Sequence, residues 1–315
     1  MLSVNRQAYE IVQTVIKEAP ALRVGVFTLR NGATVIDMGV ECAGGFKAAE
    51  YFTLAGMGGL GSVRYEAFDL DGYILPAVRV YVWMPAIACL SSHVAGWSVR
   101  SGEWSPIVAG PIRSIRGVDV FSRAMSYRDQ SDVGVVTLQM PRLPDEDLAE
   151  AIAQGAGIDP RRLYILVAKT ASIVGSVQVP ARSVEQIMPK LFDLGFDVTK
   201  VTAAMGVAPI APLCEDELKA IGRVNDCILY GVETHVWADC EDEEIVKILN
   251  DAVLCTKDRY GTPFEEIFRD YGYDFFKVPR ELDSPARIVI SNIRTGRVFS
   301  AGVINRELLK RSLLK

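Results

Sequence analysis

Two charged side chains follow a stretch of small, neutral residues in the middle of the chain. The stretch TASIVGSVQVPARSVE spans residues 170 to 185, and its only charges are Arg182 and Glu185. Residues three apart share a face of a helix, so these two side chains can pair. Such a pair could present an acid and a base to a ligand that lies against the small residues. The alternative is a solvated ion pair, which stabilises a helix by only about 0.3–0.5 kcal/mol.

The sequence around this pair predicts a helix that is preceded by small residues, which leave space for a ligand. Pro180 suits the first turn of a helix and Gly195 suits its end, while Pro189 removes one hydrogen bond and should bend it. Residues 170–179 are mostly small, and we expect them to form a loop. Their hydroxyl groups and the amide of Gln178 would offer neutral hydrogen bonds to a ligand.

Other motifs give weaker chemical signals. Residues 56–61 match GxGxxG, but a dinucleotide site needs a strand before the motif and a helix after it. Here the helix-like FKAAEYFTLAG precedes the glycines and the strand-like SVRYEAF follows, so we predict a glycine turn with close backbone approach. The two histidines, His93 and His235, lie in no HExxH pattern and beside no cysteine pair, and we predict no metal site.

Composition argues against several classes of partner. The chain has 315 residues, half of them hydrophobic, and a formal net charge of −5. Its basic residues are scattered, so no nucleic-acid-binding surface is predicted. No uncharged apolar run reaches about 18 residues, and the amphipathic N-terminus is unlike a signal peptide. The six cysteines form no CxxC pair, which favours a reducing compartment. We therefore expect a cytoplasmic protein with no membrane segment.

Helix-like and strand-like segments mix along the whole chain. This mixture predicts α/β or α+β layers with both parallel and antiparallel strand pairs. Two lobes are expected, and composition places the best boundary near residues 140–145. The sequence predicts a first helix capped by Ser3 and hairpins that turn at 30–32 and 294–296. It also predicts a short buried helix at PAIACLSS, a helix at EDELKAIG that ends at Gly222, and a long strand at CILYGVETHVWA.

Segments spread over the whole chain share their order and spacing with one known family. They are LSVN, RNGATVIDMGV, PAIACLSSHVAGW, AGP followed by Arg113, TASIVGSVQ with the arginine and glutamate after it, YGTPFEEIF, and SPARIVISNIRTGRVFSAG. Together these segments resemble the methenyl-tetrahydromethanopterin cyclohydrolases.

The resemblance implies an enzyme of one-carbon metabolism that reversibly hydrolyses the methenyl group of a tetrahydropterin carrier to a formyl group. It implies one cyclohydrolase-type unit over residues 1–315, of α+β class, made of two α+β subdomains with a large cleft between them. It also implies a homotrimer or another homo-oligomer. Neither a metal nor a cofactor is implied, because the tetrahydromethanopterin-type carrier is the substrate.

The arginine and glutamate that the family uses in catalysis fall on Arg182 and Glu185. The substrate is an amidinium-like cation with an electrophilic bridging carbon, so water must lose a proton as it attacks. Glu185 is the expected base, and Arg182 is the expected orienting and electrostatic partner. The residues expected to line the substrate site are Thr170, Ser172, Ser176, Gln178, Gly58 and Gly59.

The chain also departs from the family pattern in several segments. One of them is Met205–Pro212, which lacks the family's arginine. A diverged, non-catalytic protein that still binds the pterin is therefore a second hypothesis. A third is a structural oligomer in which Arg182 and Glu185 form only an ion pair. These hypotheses differ in whether the methenyl group is hydrolysed and in whether the pterin is bound.

Overall fold

The computed structural model describes residues 2–102 and 105–314. In these ranges the α-helices are α1 (Val4–Lys17), α2 (Ala19–Leu22), α3 (Phe46–Gly56), α4 (Arg113–Arg116), α5 (Val120–Ala124), α6 (Glu146–Ala156), α7 (Ile173–Gln178), α8 (Ser183–Asp193), α9 (Glu217–Gly231), α10 (Asp242–Ile248), α11 (Phe264–Asp270) and α12 (Arg306–Leu313). The strands are β1 (Gly25–Thr28), β2 (Thr34–Gly39), β3 (Gly61–Leu70), β4 (Tyr73–Val82), β5 (Trp97–Ser98), β6 (Ile107–Val108), β7 (Gly134–Gln139), β8 (Leu163–Ala168), β9 (Val201–Pro209), β10 (Glu233–Ala238), β11 (Arg287–Asn292) and β12 (Val298–Gly302). A π-helix spans Ala86–His93, and short 3₁₀ turns include Pro180–Arg182 and Arg280–Leu282.

The chain divides into two compact units. The first comprises Met1–Ser62 and Ile87–Gln178, and the second comprises Val63–Ala86 and Val179–Lys315. Each unit has its own mixed sheet and its own helices, so the predicted α+β class is confirmed. Residues 140–145, where composition suggested a boundary, instead connect β7 to α6 inside the first unit.

The first unit is built on a four-stranded sheet in the order β1-β2-β8-β7. β2, β8 and β7 run parallel, so their carboxyl ends meet at one edge of the sheet. Val136 and Leu138 of β7 pack with Leu148 and Ile152 of α6 in one apolar cluster. Thr137 lies between them and faces the opposite way, toward the end of α3, because successive strand residues alternate between faces.

The second unit is built on a six-stranded sheet in the order β12-β11-β10-β9-β4-β3. α8 covers one face, where it contacts β4, β9 and β10. The contact is close at Gly206, because a Cβ added there would lie 2.2 Å from the Oγ of Ser183. His235 and Trp237 of β10 point to the other face and are only half-buried. The first residue of α8, Ser183, therefore packs directly against the sheet.

Several local predictions are confirmed. The Ser3 hydroxyl accepts a hydrogen bond from the backbone N–H of Arg6 at 3.2 Å, and α1 follows it. β1 and β2 pair antiparallel around the turn at 30–32, and β11 and β12 do so around 294–296. All of the segment PAIACLSS except its first residue, Pro85, lies in the π-helix, where Ala88 and the residues after it are buried. No helix in the described ranges is both long and apolar enough to cross a membrane.

One predicted pair of elements is wrong. α9 continues through Gly222, and the first half of CILYGVETHVWA is helical rather than extended. Val224 and Ile228 lie one helical turn apart in the core, so the apolar run belongs to the helical period. Gly222 is needed inside the helix because a Cβ there would lie 2.9 Å from the Cβ of Glu265 in α11. Tertiary packing therefore explains a glycine that local rules treat as a helix end.

Candidate active site

The small residues before the charged pair form a short helix, not the predicted loop. The Ser172 hydroxyl donates to the carbonyl oxygen of Lys169 at 2.7 Å and accepts from the N–H of Gly175 at 3.0 Å, which starts α7. Gly175 cannot be larger, because a Cβ there would lie 2.0 Å from the Lys169 oxygen. The small side chains thus let α7 pack closely against the residues that precede it.

The predicted single helix from Pro180 to Gly195 is divided. Pro180 begins a 3₁₀ turn, and α8 starts only at Ser183, with Arg182 at its N-cap. Pro189 lies inside α8, and the helix ends before Gly195, which has a positive φ of 78° as expected for a helix end. Glu185 therefore occupies the first turn of α8, where the helix dipole favours a negative charge.

Arg182 and Glu185 form an ion pair that is largely withdrawn from solvent. The Nη1 atom of Arg182 lies 3.2 Å from Oε2 of Glu185, and the two side chains are 14% and 10% exposed. This is not the solvated pair that helical spacing alone predicts. Removing two charges from water costs several kcal/mol each, about as much as their attraction returns. A buried pair of this kind therefore adds little to the stability of the fold, which favours a chemical role for it.

Thr170 and Gln178 meet at the carboxyl edge of the parallel strands in the first unit. Gln139 ends β7, and its Nε2 donates at 2.5 Å to Oγ1 of Thr170, which lies two residues after the end of β8. The Nε2 of Gln178 in turn donates to Oε1 of Gln139. Ligands of open parallel sheets bind beyond this edge, so the three polar side chains lie where a ligand is expected. Sequence reasoning missed Gln139, whose only signal is a polar residue at the end of a buried strand.

The two predicted serines are used within α7. The Ser176 hydroxyl donates to the carbonyl oxygen of Ile173 at 2.9 Å, and Ser172 caps the helix start as described above. Both serines are less than a tenth exposed. Their visible role is to fold the segment that carries Thr170 and Gln178.

Gly58 and Gly59 form the predicted glycine turn between α3 and β3. Both have positive φ values, 65° and 73°, which only glycine adopts readily. A Cβ on Gly58 would lie 2.4 Å from the Cβ of Val4, and one on Gly59 would lie 3.2 Å from the Cβ of Gln7. Packing against α1 therefore requires glycine at Gly58 and favours it at Gly59, and their predicted place in the substrate site stays a prediction.

A second carboxyl lies near the charged pair in the second unit. Gln186 Nε2 donates to Oδ1 of Asp283 at 3.1 Å, and Nζ of Lys190 donates to the carbonyl oxygen of Glu281 at 3.3 Å. Desolvation and the negative charge of Glu185 raise the pKa of Asp283 to about 6, and desolvation lowers the pKa of Lys190. Asp283 is nevertheless an exposed residue. It can therefore exchange a proton with solvent while Gln186 holds its carboxyl.

Arg113 holds the π-helix of the first unit in place. Its Nη1 donates to the carbonyl oxygen of Ser92 at 2.9 Å, and its Nη2 donates to that of Leu90 at 3.2 Å. The same guanidinium binds both oxygens of Asp119, at 2.6 and 2.8 Å. π-Helices are rare and often occur at functional sites, so an arginine that fixes one has a positioning role.

Neither histidine belongs to a metal-binding group. His93 is buried against Gly56, and His235 stacks on Trp237 with ring centroids 4.1 Å apart. Nε2 of His235 lies 2.7 Å from the hydroxyl of Ser291. Across residues 2–102 and 105–314, no three or more His, Cys, Asp or Glu side chains are grouped so that they could hold a metal ion.

Fold and site together define the class of protein: an α+β protein of two units, with an enclosed arginine–glutamate pair at the start of a helix in the second. Residues 3–313 match the model of the family described as Cyclohydrolase (MCH). The chain belongs to this family.

Curated relatives match the chain from end to end. A relative from Methanothermobacter marburgensis is 39% identical over 99% of this chain and 99% of its own length. A second from Methanococcus maripaludis is 40% identical, and a third from Methanocaldococcus jannaschii is 39% identical, each over 99% of this chain and 98% of its own length. All three are named methenyltetrahydromethanopterin cyclohydrolase.

Proposed function

We propose that this chain catalyses the reversible hydrolysis of methenyltetrahydromethanopterin, or of a close tetrahydropterin analogue, to the formyl form. The observation that carries the proposal is the match of residues 3–313 to the cyclohydrolase family, with relatives aligned over almost their full lengths. The enclosed pair of Arg182 and Glu185 supports a hydrolytic site over a protein that only binds the pterin. The carrier is the substrate in this proposal rather than a resident cofactor.

In the proposed reaction Glu185 activates water. One O–H bond of water breaks and its proton moves to the Glu185 carboxylate, while the oxygen bonds to the methenyl carbon. The electron pair of the C=N bond moves onto nitrogen, which neutralises the cation. In the second step the breaking C–N bond leaves its electrons on a nitrogen that takes up the proton from Glu185. The carboxylate of Glu185, free again, takes up the proton that the new hydroxyl loses as the carbonyl forms. A general base of this kind contributes about 10²–10⁴-fold to the rate.

Arg182 prepares the carboxylate for this role. Its guanidinium donates to Glu185 at 3.2 Å, and such a charge-assisted bond orients the carboxylate. The carboxylate in turn attracts the cationic carbon of the substrate before attack. We propose Thr170, Ser172, Ser176, Gln178, Gly58 and Gly59 as the substrate-binding set, with Gln139 added to it.

The test of this proposal is direct. Purified protein is mixed with methenyltetrahydromethanopterin, and loss of the methenyl ultraviolet absorbance is followed against buffer alone. We expect the protein to accelerate this loss. Binding of the pterin without any acceleration would instead support the hypothesis of a non-catalytic binding protein. If the protein neither binds the pterin nor accelerates the reaction, the hypothesis of a structural oligomer is supported.

We further propose that the chain forms a homo-oligomer, of which a homotrimer is one form, through the uncovered face of the six-stranded sheet. This face carries a groove of about 480 Å³ lined by Tyr81, Trp83, Trp237 and Ile293 among others. Trp83 is 52% exposed and Ile293 is 50% exposed. Monomers seldom expose a contiguous apolar patch, and aromatic residues are enriched at the centres of interfaces. A second copy of the chain is the proposed occupant, in keeping with the oligomer that the family resemblance implies.

Trp83→Glu tests this interface. We expect the variant to have a lower mass by light scattering than the unchanged protein, because a carboxylate would be buried without a partner at the contact. Tyr73→Glu is the matched control, since Tyr73 lies on the same sheet, is 58% exposed and does not line this groove. The control should keep the mass of the unchanged protein. A Trp83 variant that also keeps it would show that another surface forms the oligomer.

A further inference from the structure

A segment of the second unit runs beside α8 and is tied to it at three points. Arg280 Nη2 donates to Oδ1 of Asp193 at 2.6 Å. One turn back along α8, Lys190 donates to the carbonyl oxygen of Glu281 at 3.3 Å. One further turn back, Gln186 donates to Asp283 at 3.1 Å. The segment therefore runs opposite to the helix, and its last contact places Asp283 at the end of α8 that carries Glu185.

Gln186 is suited to hold Asp283 in either protonation state. Gln186 is 2% exposed, and its Oε1 atom has no hydrogen-bond partner in the described part of the chain. A side-chain amide has a donor and an acceptor that exchange places on rotation by half a turn. Its NH₂ group can donate to the Asp283 carboxylate, and its oxygen can accept from the protonated acid. Rotation of the amide would therefore let Gln186 keep a hydrogen bond to Asp283 in either protonation state.

The proposed reaction creates a need for such a neighbour. A methenyl cation and water give a neutral formyl product, so each turnover releases one proton. Water supplies two protons, the leaving nitrogen keeps one, and the other must leave the site. Glu185 is only 8% exposed and is paired with Arg182, so it is poorly placed to release a proton directly to bulk water.

We propose that Asp283 takes up the second proton, which Glu185 receives from the new hydroxyl group, and passes it to solvent. Asp283 acts through Glu185 and need not touch the substrate. This inference rests on the proposed function, because it assigns a part in the same reaction. It is specific to residues that no motif in the sequence singled out, since Gln186 and Asp283 are 97 positions apart.

The charges around Asp283 agree with this role. The negative charge of Glu185 opposes ionisation of Asp283, whereas Lys190 and Arg280 favour it. Desolvation is the largest effect, and together these raise the pKa of Asp283 to about 6. At neutral pH the group is ionised and able to accept a proton. As pH falls below about 6 it becomes protonated, the acceptor is lost, and hydrolysis should slow.

Asp283→Asn is the test, with Glu281→Gln as the matched control. The control removes a carboxylate two residues away whose side chain is exposed, and it keeps the backbone oxygen that Lys190 binds. We expect the unchanged protein and the control to lose kcat as pH falls through about 6. The Asp283 variant should lack this inflection and should have a kcat about tenfold lower at pH 7.5, less than the loss expected for the base itself. Added imidazole should restore much of that kcat by accepting the proton, and should not accelerate the unchanged protein.

The outcomes separate this inference from the proposed function. If the unchanged protein does not hydrolyse the methenyl carrier, the proposed function itself fails. If the unchanged protein is active but the Asp283 variant keeps its kcat and its pH profile, only the role of Asp283 is wrong. A loss of kcat that imidazole does not restore would also contradict proton release and point to a structural role. Circular dichroism and thermal unfolding confirm that each variant is folded before kinetics are compared.

Discussion

Glu185→Gln should lower kcat/KM for methenyl hydrolysis by about 10²–10⁴-fold, the contribution typical of a positioned general base. Glutamine keeps the shape of the side chain and can still accept the hydrogen bond that Arg182 donates at 3.2 Å. It cannot accept a proton from attacking water. The measurement is the rate of absorbance loss at saturating and at low substrate concentrations, with pterin affinity measured separately by equilibrium binding.

A matched control distinguishes loss of the base from loss of any paired glutamate. Glu50 pairs with Lys47 at 2.8 Å on α3 with the same three-residue spacing, but the lysine is 56% exposed. Glu50→Gln should leave the rate within about twofold, because exposed pairs contribute at most about 1 kcal/mol to stability. If Glu185→Gln is as active as this control, the assigned base is wrong even though the protein is a hydrolase.

The pair itself could be found from the sequence because its spacing is local. Arg182 and Glu185 are three residues apart, and that spacing brings them together on any helical turn. Their burial could not be found in this way. It depends on the packing of α8 against β4, β9 and β10, which come from distant parts of the chain. Local rules therefore predicted the contact between Arg182 and Glu185 correctly but placed the pair in solvent, whereas it is buried.

Residues that meet only in three dimensions escaped prediction. Gln139 contacts Thr170 across 31 positions and Gln178 across 39, because adjacent parallel strands bring their carboxyl ends together. The helical course of residues 173–178 was also missed, since serine and glycine are weak helix formers on their own. The hairpins and the capped first helix were predictable for the opposite reason, because their determining contacts are only a few residues apart.

Arg113→Met should destabilise the protein by about 3–5 kcal/mol, the cost typical of removing one partner of a buried ion pair. Arg113 is 0% exposed and binds both oxygens of Asp119, so methionine would leave that carboxylate buried without its cation. The carbonyl oxygens of Ser92 and Leu90 in the π-helix would also lose the hydrogen bonds that Arg113 donates, and that of Ser92 would keep only the one from the N–H of Gly110. The free energy of unfolding from urea titration is the measurement, and Arg123→Met, at an exposed neighbouring arginine, is the control.

A second substitution identifies the cause of that loss. Asp119 also accepts backbone hydrogen bonds from Phe121 and Ser122 at the start of α5, at 3.1 and 3.0 Å. Asparagine can keep these bonds with its side-chain oxygen while carrying no charge. The double variant Arg113→Met, Asp119→Asn should therefore be more stable than Arg113→Met alone, because no unpaired charge remains buried. Equal stability of the two variants would mean that the lost bonds to the π-helix carbonyls, and not the stranded carboxylate, account for the cost. In that case the arginine would serve chiefly to fix the π-helix.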